Sequence, residues 1–207
     1  MKTESTPIIV TPAMLQSMSR ATFDIECLRD VSKPFGFDNA EFLGIACACT
    51  VNHEGVYKDF VTDESAFRCF GYLNKHQMIV GYNTIGFDFP LLGGSLLTPE
   101  NPYSKRYVEN SFKGRMIDLC RDFSEALGHR VKLESVSIPT LGDQKEMQGG
   151  YAPQHWRNGK CMEVLEYCRG DVRRTDDLLV KAVNGEELLM KTNKGVIKKF
   201  KCQVKLR

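Results

Sequence analysis

Apolar residues along this chain recur with two periods, and the change from one to the other marks its elements. Residues 21–27 (ATFDIEC) alternate as a strand does, which puts Asp24 and Glu26 on one face. Residues 42–51 (FLGIACACTV) are apolar and partly β-branched, and residues 55–61 (GVYKDFV) follow the turn-forming Asn52-His53-Glu54-Gly55. The three segments predict an antiparallel meander. Phe67, Phe70 and Leu73 behind a candidate Asp63 N-cap predict a helix over 63–75, leading into a short strand at 77–81 that the crossover makes parallel. Another helix should begin near Phe87, and residues 115–119 (RMIDL) supply a fifth strand after a polar loop rich in Asn, Pro, Ser and Lys. Short helices are predicted at 121–127 and 132–136, and a loop at 142–160 containing Gly149-Gly150, Pro153 and Gly159. The last long helix, 161–183, carries Val164, Leu165, Cys168, Val172, Leu178 and Leu179. Residues 188–190 and 196–204, flanking Thr192-Asn193-Lys194-Gly195, predict a terminal hairpin.

Strands first and alternating helices later indicate an α/β fold built on a mixed five-stranded sheet flanked by helices. With 207 residues, 42% of them hydrophobic, the chain can bury one sizeable core. A single domain over 1–207 is expected, its core about 20–185 and a basic hairpin about 186–207. The longest apolar runs, such as 45–51, fall far short of the roughly 18 residues of a membrane span. Residues 1–10 lack the basic-then-apolar design of a signal peptide, so a cytoplasmic location and no membrane partner are expected. The eight cysteines (27, 47, 49, 69, 120, 161, 168 and 202) form no CxxC pair. They read as reduced, mostly buried thiols, with Cys47 and Cys49 on one strand face. A net charge of +2 announces no polyanion ligand, yet from Lys191 onward there are seven Lys or Arg and no acid. That segment either tracks phosphates or forms a solvated hairpin.

Three short patterns carry candidate chemistry: Asp24-Ile25-Glu26, then Asn83-Thr84-Ile85-Gly86-Phe87-Asp88, then Tyr167-Cys168-Arg169-Gly170-Asp171. Carboxylates at i, i+2 share a strand face, and Tyr167 and Asp171 at i, i+4 share a helix face. Asp88 opens a helix, where backbone N–H groups favour an anion. Three segments can therefore deliver four carboxylates to one cleft. Such a cluster raises its own pKa values and opposes folding when empty, and hard divalent cations relieve it; oxygen-only ligands favour Mg²⁺ or Mn²⁺ over zinc. Gly170 beside Asp171 costs the helix roughly 1 kcal/mol relative to alanine, which suggests close packing or close substrate approach there.

Together the three patterns resemble the tyrosine branch of the DEDD 3′→5′ exonuclease superfamily, RNase H-like enzymes that include the proofreading domains of DNA polymerases. The flanking Gly81-Tyr82-Asn83 and Asp171-Val172 fit the same pattern, and the resemblance covers about 20–185. Leu133-Glu134-Ser135-Val136 through Thr140-Leu141-Gly142 and Lys145, then Ala152-Pro153 and Trp156, resemble bacterial and phage exonuclease domains related to the family-B polymerase proofreader. The resemblance implies an RNase H-like fold and a two-cation mechanism. In it Asp24 bridges both ions, Glu26 and Asp171 complete the first, and Asp88 supports the second through water. Glu166 stands where the histidine branch would place its base, so Tyr167 is the implied residue. Its phenol, with a pKa about 10, orients the attacking water rather than deprotonating it.

Leu28 is a candidate contact for the terminal sugar or base, and Asn83 and Phe87 for the substrate groove; each has a plain alternative in core or turn packing. Trp156 either stacks a base or packs, Lys145 reaches a phosphate or solvent, and Asp118 extends the acidic cleft or caps the following helix. His53, His76, His129 and His155 show no ligand spacing. The implied substrate is the 3′ end of a single strand, DNA in preference to RNA, released as nucleoside monophosphates, with a polymerase or helicase as a possible partner. An exoribonuclease and a non-catalytic nucleic-acid-binding module are the alternatives.

Overall fold

The computed structural model describes residues 7–31, 37–61, 64–96, 105–144 and 149–207. The expected roles of Asp63 as a helix cap and Lys145 as a phosphate contact fall outside them. The strands are β1 (Ile8–Ile9), β2 (Arg20–Cys27), β3 (Ile45–Asn52), β4 (Tyr57–Phe60), β5 (Met78–Gly81), β6 (Met116–Asp118), β7 (Leu188–Lys191), β8 (Ile197–Phe200) and β9 (Lys205–Leu206). The helices are α1 (Pro12–Ser17), α2 (Ser65–Leu73), α3 (Asp88–Ser95), α4 (Lys105–Phe112), α5 (Leu119–Leu127), α6 (Leu133–Leu141), α7 (Ala152–Arg157) and α8 (Cys161–Val183).

The five-stranded sheet runs β4-β3-β2-β5-β6, with β2–β3 and β3–β4 antiparallel and β2–β5 and β5–β6 parallel. This mixed sheet between helical layers is the α/β arrangement expected from the strand and helix order, and with the β7–β8 hairpin that follows it is consistent with the RNase H-like fold implied by the motif resemblance. Alternation along the central strand β2 determines what each face receives. Ala21, Phe23, Ile25 and Cys27 enter a core with Phe89, Leu92 and Phe112 from α3 and α4. Thr22, Asp24 and Glu26 therefore point to the other face, which α8 covers. There Cys47, Cys49 and Val51 of β3 pack against Val164, Leu165, Cys168 and Val172. All eight cysteines are free thiols.

Four expectations need correction. The stretch read as a loop over 142–160 contains α7, because Pro153 sits in its first turn, where a missing N–H costs nothing. Helix α6 continues to Leu141 through Pro139 rather than stopping near 136. The polar stretch before β6 includes α4, whose Val108 and Phe112 are buried. The second hairpin strand ends at Phe200, and the chain then forms β9, which pairs antiparallel with β1. Arg207 exchanges backbone hydrogen bonds with Met116 of β6 at 2.8 and 3.2 Å, fastening the C-terminus to the sheet edge.

Helix α3 crosses the 3-10 turn Phe37–Phe42 so closely that a Cβ on Gly94 would lie 1.9 Å from the Glu41 carbonyl oxygen. Backbone cannot rotate away as a side chain can, so Gly94→Ala should cost about 3 kcal/mol, the upper end of overpacking penalties. For a domain of this size that is roughly 6–12 °C of Tm. Gly71, inside α2, has open space around its added Cβ, so Gly71→Ala should raise Tm through helix propensity. Thermal melts of the two variants should move in opposite directions; a Gly94→Ala protein melting with wild type would contradict the close crossing.

Candidate active site

The N-terminal strands and the long C-terminal helix meet at one place. In β2, Asp24 is opposite Cys49 and Glu26 opposite Cys47, with a β-bulge between Glu26 and Cys27 that re-aims the strand just as the carboxylates end. Helix α8 is fastened over them at two levels. The Cys168 thiol donates to the Asp24 carbonyl at 3.4 Å. Further along, Asp176 accepts Arg20 Nε and Nη2 at 3.1 and 2.9 Å and the Thr22 hydroxyl at 2.6 Å. With the helix register fixed by these bonds, Tyr167 and Asp171 face β2.

Ligand-capable oxygens of Asp24, Glu26 and Asp171 all lie within 4.8 Å of one another. Asp88, only 2% exposed, enters from the start of α3, and its Oδ1 accepts the Ile25 N–H at 3.1 Å, between the two β2 carboxylates. Three of the four expected carboxylates thus converge, and the fourth stands beside them against the strand backbone. Burial first and the Asp171 carboxylate second push Asp24 up to about 8. Burial, then Asp24 and Asp171, push Glu26 well above the carboxylate range. Asp88 is raised by burial and then by Asp24 and Asp118. An assembly of this kind is stable only with protons or cations among its oxygens. Its all-oxygen donor set fits a hard divalent cation, so the triad is a site that could bind a metal.

Asp171 differs from its neighbours. Burial raises it, but the Tyr167 hydroxyl and the Arg174 guanidinium pull in the opposite direction. Arg174, 4% exposed, donates Nη1 to Asp171 Oδ1 at 3.0 Å, Nε to Asp143 at 3.2 Å and Nη2 to the Gln144 carbonyl at 3.4 Å. The sequence reading missed it; its i+3 position from Asp171 on one helix face was the available signal. Tyr167, 7% exposed, hydrogen-bonds Asp171, and burial followed by the Asp171, Glu26 and Asp24 charges drive its pKa upward. The phenol is therefore neutral over the working pH range.

The second motif is held by Asp118. This buried side chain caps α5 through the Cys120 N–H at 3.1 Å and accepts the Asn83 and Ile85 N–H groups at 2.9 and 3.2 Å. Asn83 adopts φ 63°, a left-handed conformation that asparagine tolerates. Its carbonyl accepts the N–H groups of Gly86 and Phe87 at 3.0 Å each. Asn83 is thereby a turn-forming residue, and Phe87, half-buried, packs on the core cluster. Leu28 and Trp156 line one cavity of about 370 Å³ with Ile45, Ala46 and Val61. Trp156 also packs on the α8 cluster. Gly170 opens onto a different groove, on the outer side of α8 with Tyr57 and Arg169. The histidines form no metal-ligating group among the described residues.

No family model and no curated protein matches the chain. Its fold is similar to part of a solved family B DNA polymerase from the hyperthermophilic archaeon Pyrobaculum calidifontis, with a TM-score of 0.60 and 19% identity. The match covers 80% of this chain and 24% of the polymerase chain. Among the described residues no helix is long and apolar enough to cross a membrane.

Proposed function

We propose that the chain is a metal-dependent 3′→5′ exonuclease that hydrolyses single-stranded DNA to nucleoside monophosphates. The observation that carries this reading is the convergence of Asp24, Glu26 and Asp171 from β2 and α8, with Tyr167 bonded to the last of them. The motif resemblance to polymerase proofreading domains and the likeness of the fold to part of a family B polymerase both support it. Asp24, Glu26 and Asp171 would hold divalent cations, Mg²⁺ or Mn²⁺, with Asp88 behind them. Two such cations supply charge stabilisation at the attacking and leaving oxygens of a phosphodiester.

The chain's own groups complete the task. The neutral Tyr167 hydroxyl orients the attacking water, while Arg174 keeps Asp171 from turning away. Asp118 holds the Asn83 turn so that α3 presents Asp88 toward β2. Leu28 and Trp156, which line one cavity together with Ser65 and Ser95, would offer contacts to a terminal base.

A 5′-labelled single strand incubated with Mn²⁺ should give a ladder of products shortened from the 3′ end, and chelation should stop it. Cutting a circular single strand at the same rate would rule out the exonuclease polarity. Matched RNA and DNA strands read the sugar preference, with DNA expected to be faster.

A further inference from the structure

The basic C-terminal segment divides in the fold. Arg207 pairs with Asp122 at 2.6 Å, Lys205 pairs with Glu125, and Lys199 pairs with Glu187 at 2.7 Å. These three cations are consumed in fastening the terminus and the hairpin. Lys191, at the end of β7, is different. It lines a concave pocket of about 280 Å³ together with His129, Arg130, Lys132, Ser135 and Asn193. The Arg130, Lys132 and Lys191 side chains are exposed and have no carboxylate partner among the described residues. No acid lines the pocket.

Two contacts tie the walls of the pocket to segments that hold the carboxylates in place. Val131 accepts the Tyr82 hydroxyl at 3.0 Å, and Tyr82 precedes the Asn83 turn held by Asp118. In the first turn of α6, Ser135 lines the pocket while the adjacent Glu134 is close enough to raise Asp171 electrostatically. Thr140 of α6 exchanges hydrogen bonds with the Leu189 N–H and carbonyl at 2.9 and 3.0 Å, so β7 and the basic pocket are fixed to the same helix.

We infer that this pocket binds backbone phosphates of the nucleic-acid strand whose 3′ end occupies the carboxylate cleft. The inference rests on the nuclease reading and adds the strand's path to it. Three unneutralised cations in a concavity attract a polyanion, while the acidic cleft alone repels one. Ser135 and Asn193 add hydrogen-bonding groups suited to phosphate oxygens.

The test compares wild type with Arg130→Gln/Lys132→Gln/Lys191→Gln, and with Lys75→Gln, an exposed lysine on another part of the surface, as control. Anisotropy of a 5′-fluorescein-labelled oligothymidine is followed against salt in Ca²⁺ and in chelator. Each phosphate contact contributes about 0.7 to the slope of log K on log salt for single strands. The triple variant should therefore lose about 2 units of slope, and the control none. In Mn²⁺ its KM for a long oligonucleotide should rise while hydrolysis of a dinucleotide is unchanged. No binding by wild type, or a triple variant with the slope of wild type, would overturn the inference. If binding and slope behave as expected but nothing is hydrolysed, the phosphate site stands and the nuclease reading fails.

Discussion

Asp24→Asn should abolish hydrolysis in Mn²⁺ and, without metal, melt at a higher temperature than wild type at pH 8. Both effects come from one carboxylate. It faces Glu26 and Asp171 across less than 4.8 Å, so it is the group most needed by a cation and most repelled without one. Folding raises its pKa from 3.8 to about 8. A carboxyl whose folded pKa is raised stabilises the protein when protonated. That contribution is complete below about pH 4 and is lost as pH rises through 8. Metal-free wild type should therefore lose stability across this window relative to Asp24→Asn, which cannot ionise at that position. Added cation should reverse the order, since binding at 100 times its dissociation constant contributes about 2.7 kcal/mol to wild type, and each kcal/mol is roughly 2–4 °C in a domain of this size.

Asp171→Asn should lose activity too, but without the gain in metal-free stability, because it deprives the buried Arg174 of a charged partner at 3.0 Å. Paired melts at pH 5 and pH 8, with and without Mn²⁺, read all of these outcomes. Parallel wild-type and Asp24→Asn curves without metal would show that Asp24 does not bear the repulsion assigned to it.

The contrast between those two carboxylates marks where sequence reading stops. Asp24 and Glu26 on one face followed from the period of a strand, and Tyr167 with Asp171 from that of a helix, because both relations are local. The meander, the parallel crossover and the long last helix were legible for the same reason. What faces a motif from elsewhere in the chain was not. Asp143 meets Arg174 only because α6 ends beside α8, and β1 finds β9 across almost the whole sequence. The two-residue length of β1 and β9 leaves no period to detect.

Other features were hidden by chemistry that reads two ways. Pro153 was read as part of a loop, yet it lies in the first turn of a helix, and α6 runs on through Pro139 beyond the expected end near 136. Asp118 was legible as a cap, and it is one. Its second duty, holding the Asn83 and Ile85 N–H groups, depends on β6 running parallel beside β5 with Gly81 opposite Asp118. The basic tail looked uniform as sequence, whereas acids contributed by α5 and the β7 approach neutralise three of its seven cations and, of the other four, Lys191 lines the pocket.

Tyr167→Phe should slow the chemical step by roughly 10²–10⁴-fold, the usual contribution of a positioned proton-handling group, while leaving strand binding intact. The substitution removes one oxygen from a ring otherwise packed in place. Burial, then three carboxylates, raise the phenol's pKa, so it keeps its proton around neutral pH. It therefore serves as an oriented donor and acceptor, and the rising limb of the pH–rate profile should persist in Tyr167→Phe, because that limb belongs to ionisation of the attacking water. The hydroxyl also donates to Asp171. Its loss should lower stability by about 1 kcal/mol, and Arg174 should still hold that carboxylate, so cation affinity should change far less than in Asp24→Asn. Single-turnover rates across pH, with Mn²⁺ binding measured separately, distinguish these roles. A Tyr167→Phe rate equal to wild type, or a profile whose rising limb vanishes with the hydroxyl, would show that Tyr167 does not act as an orienting group.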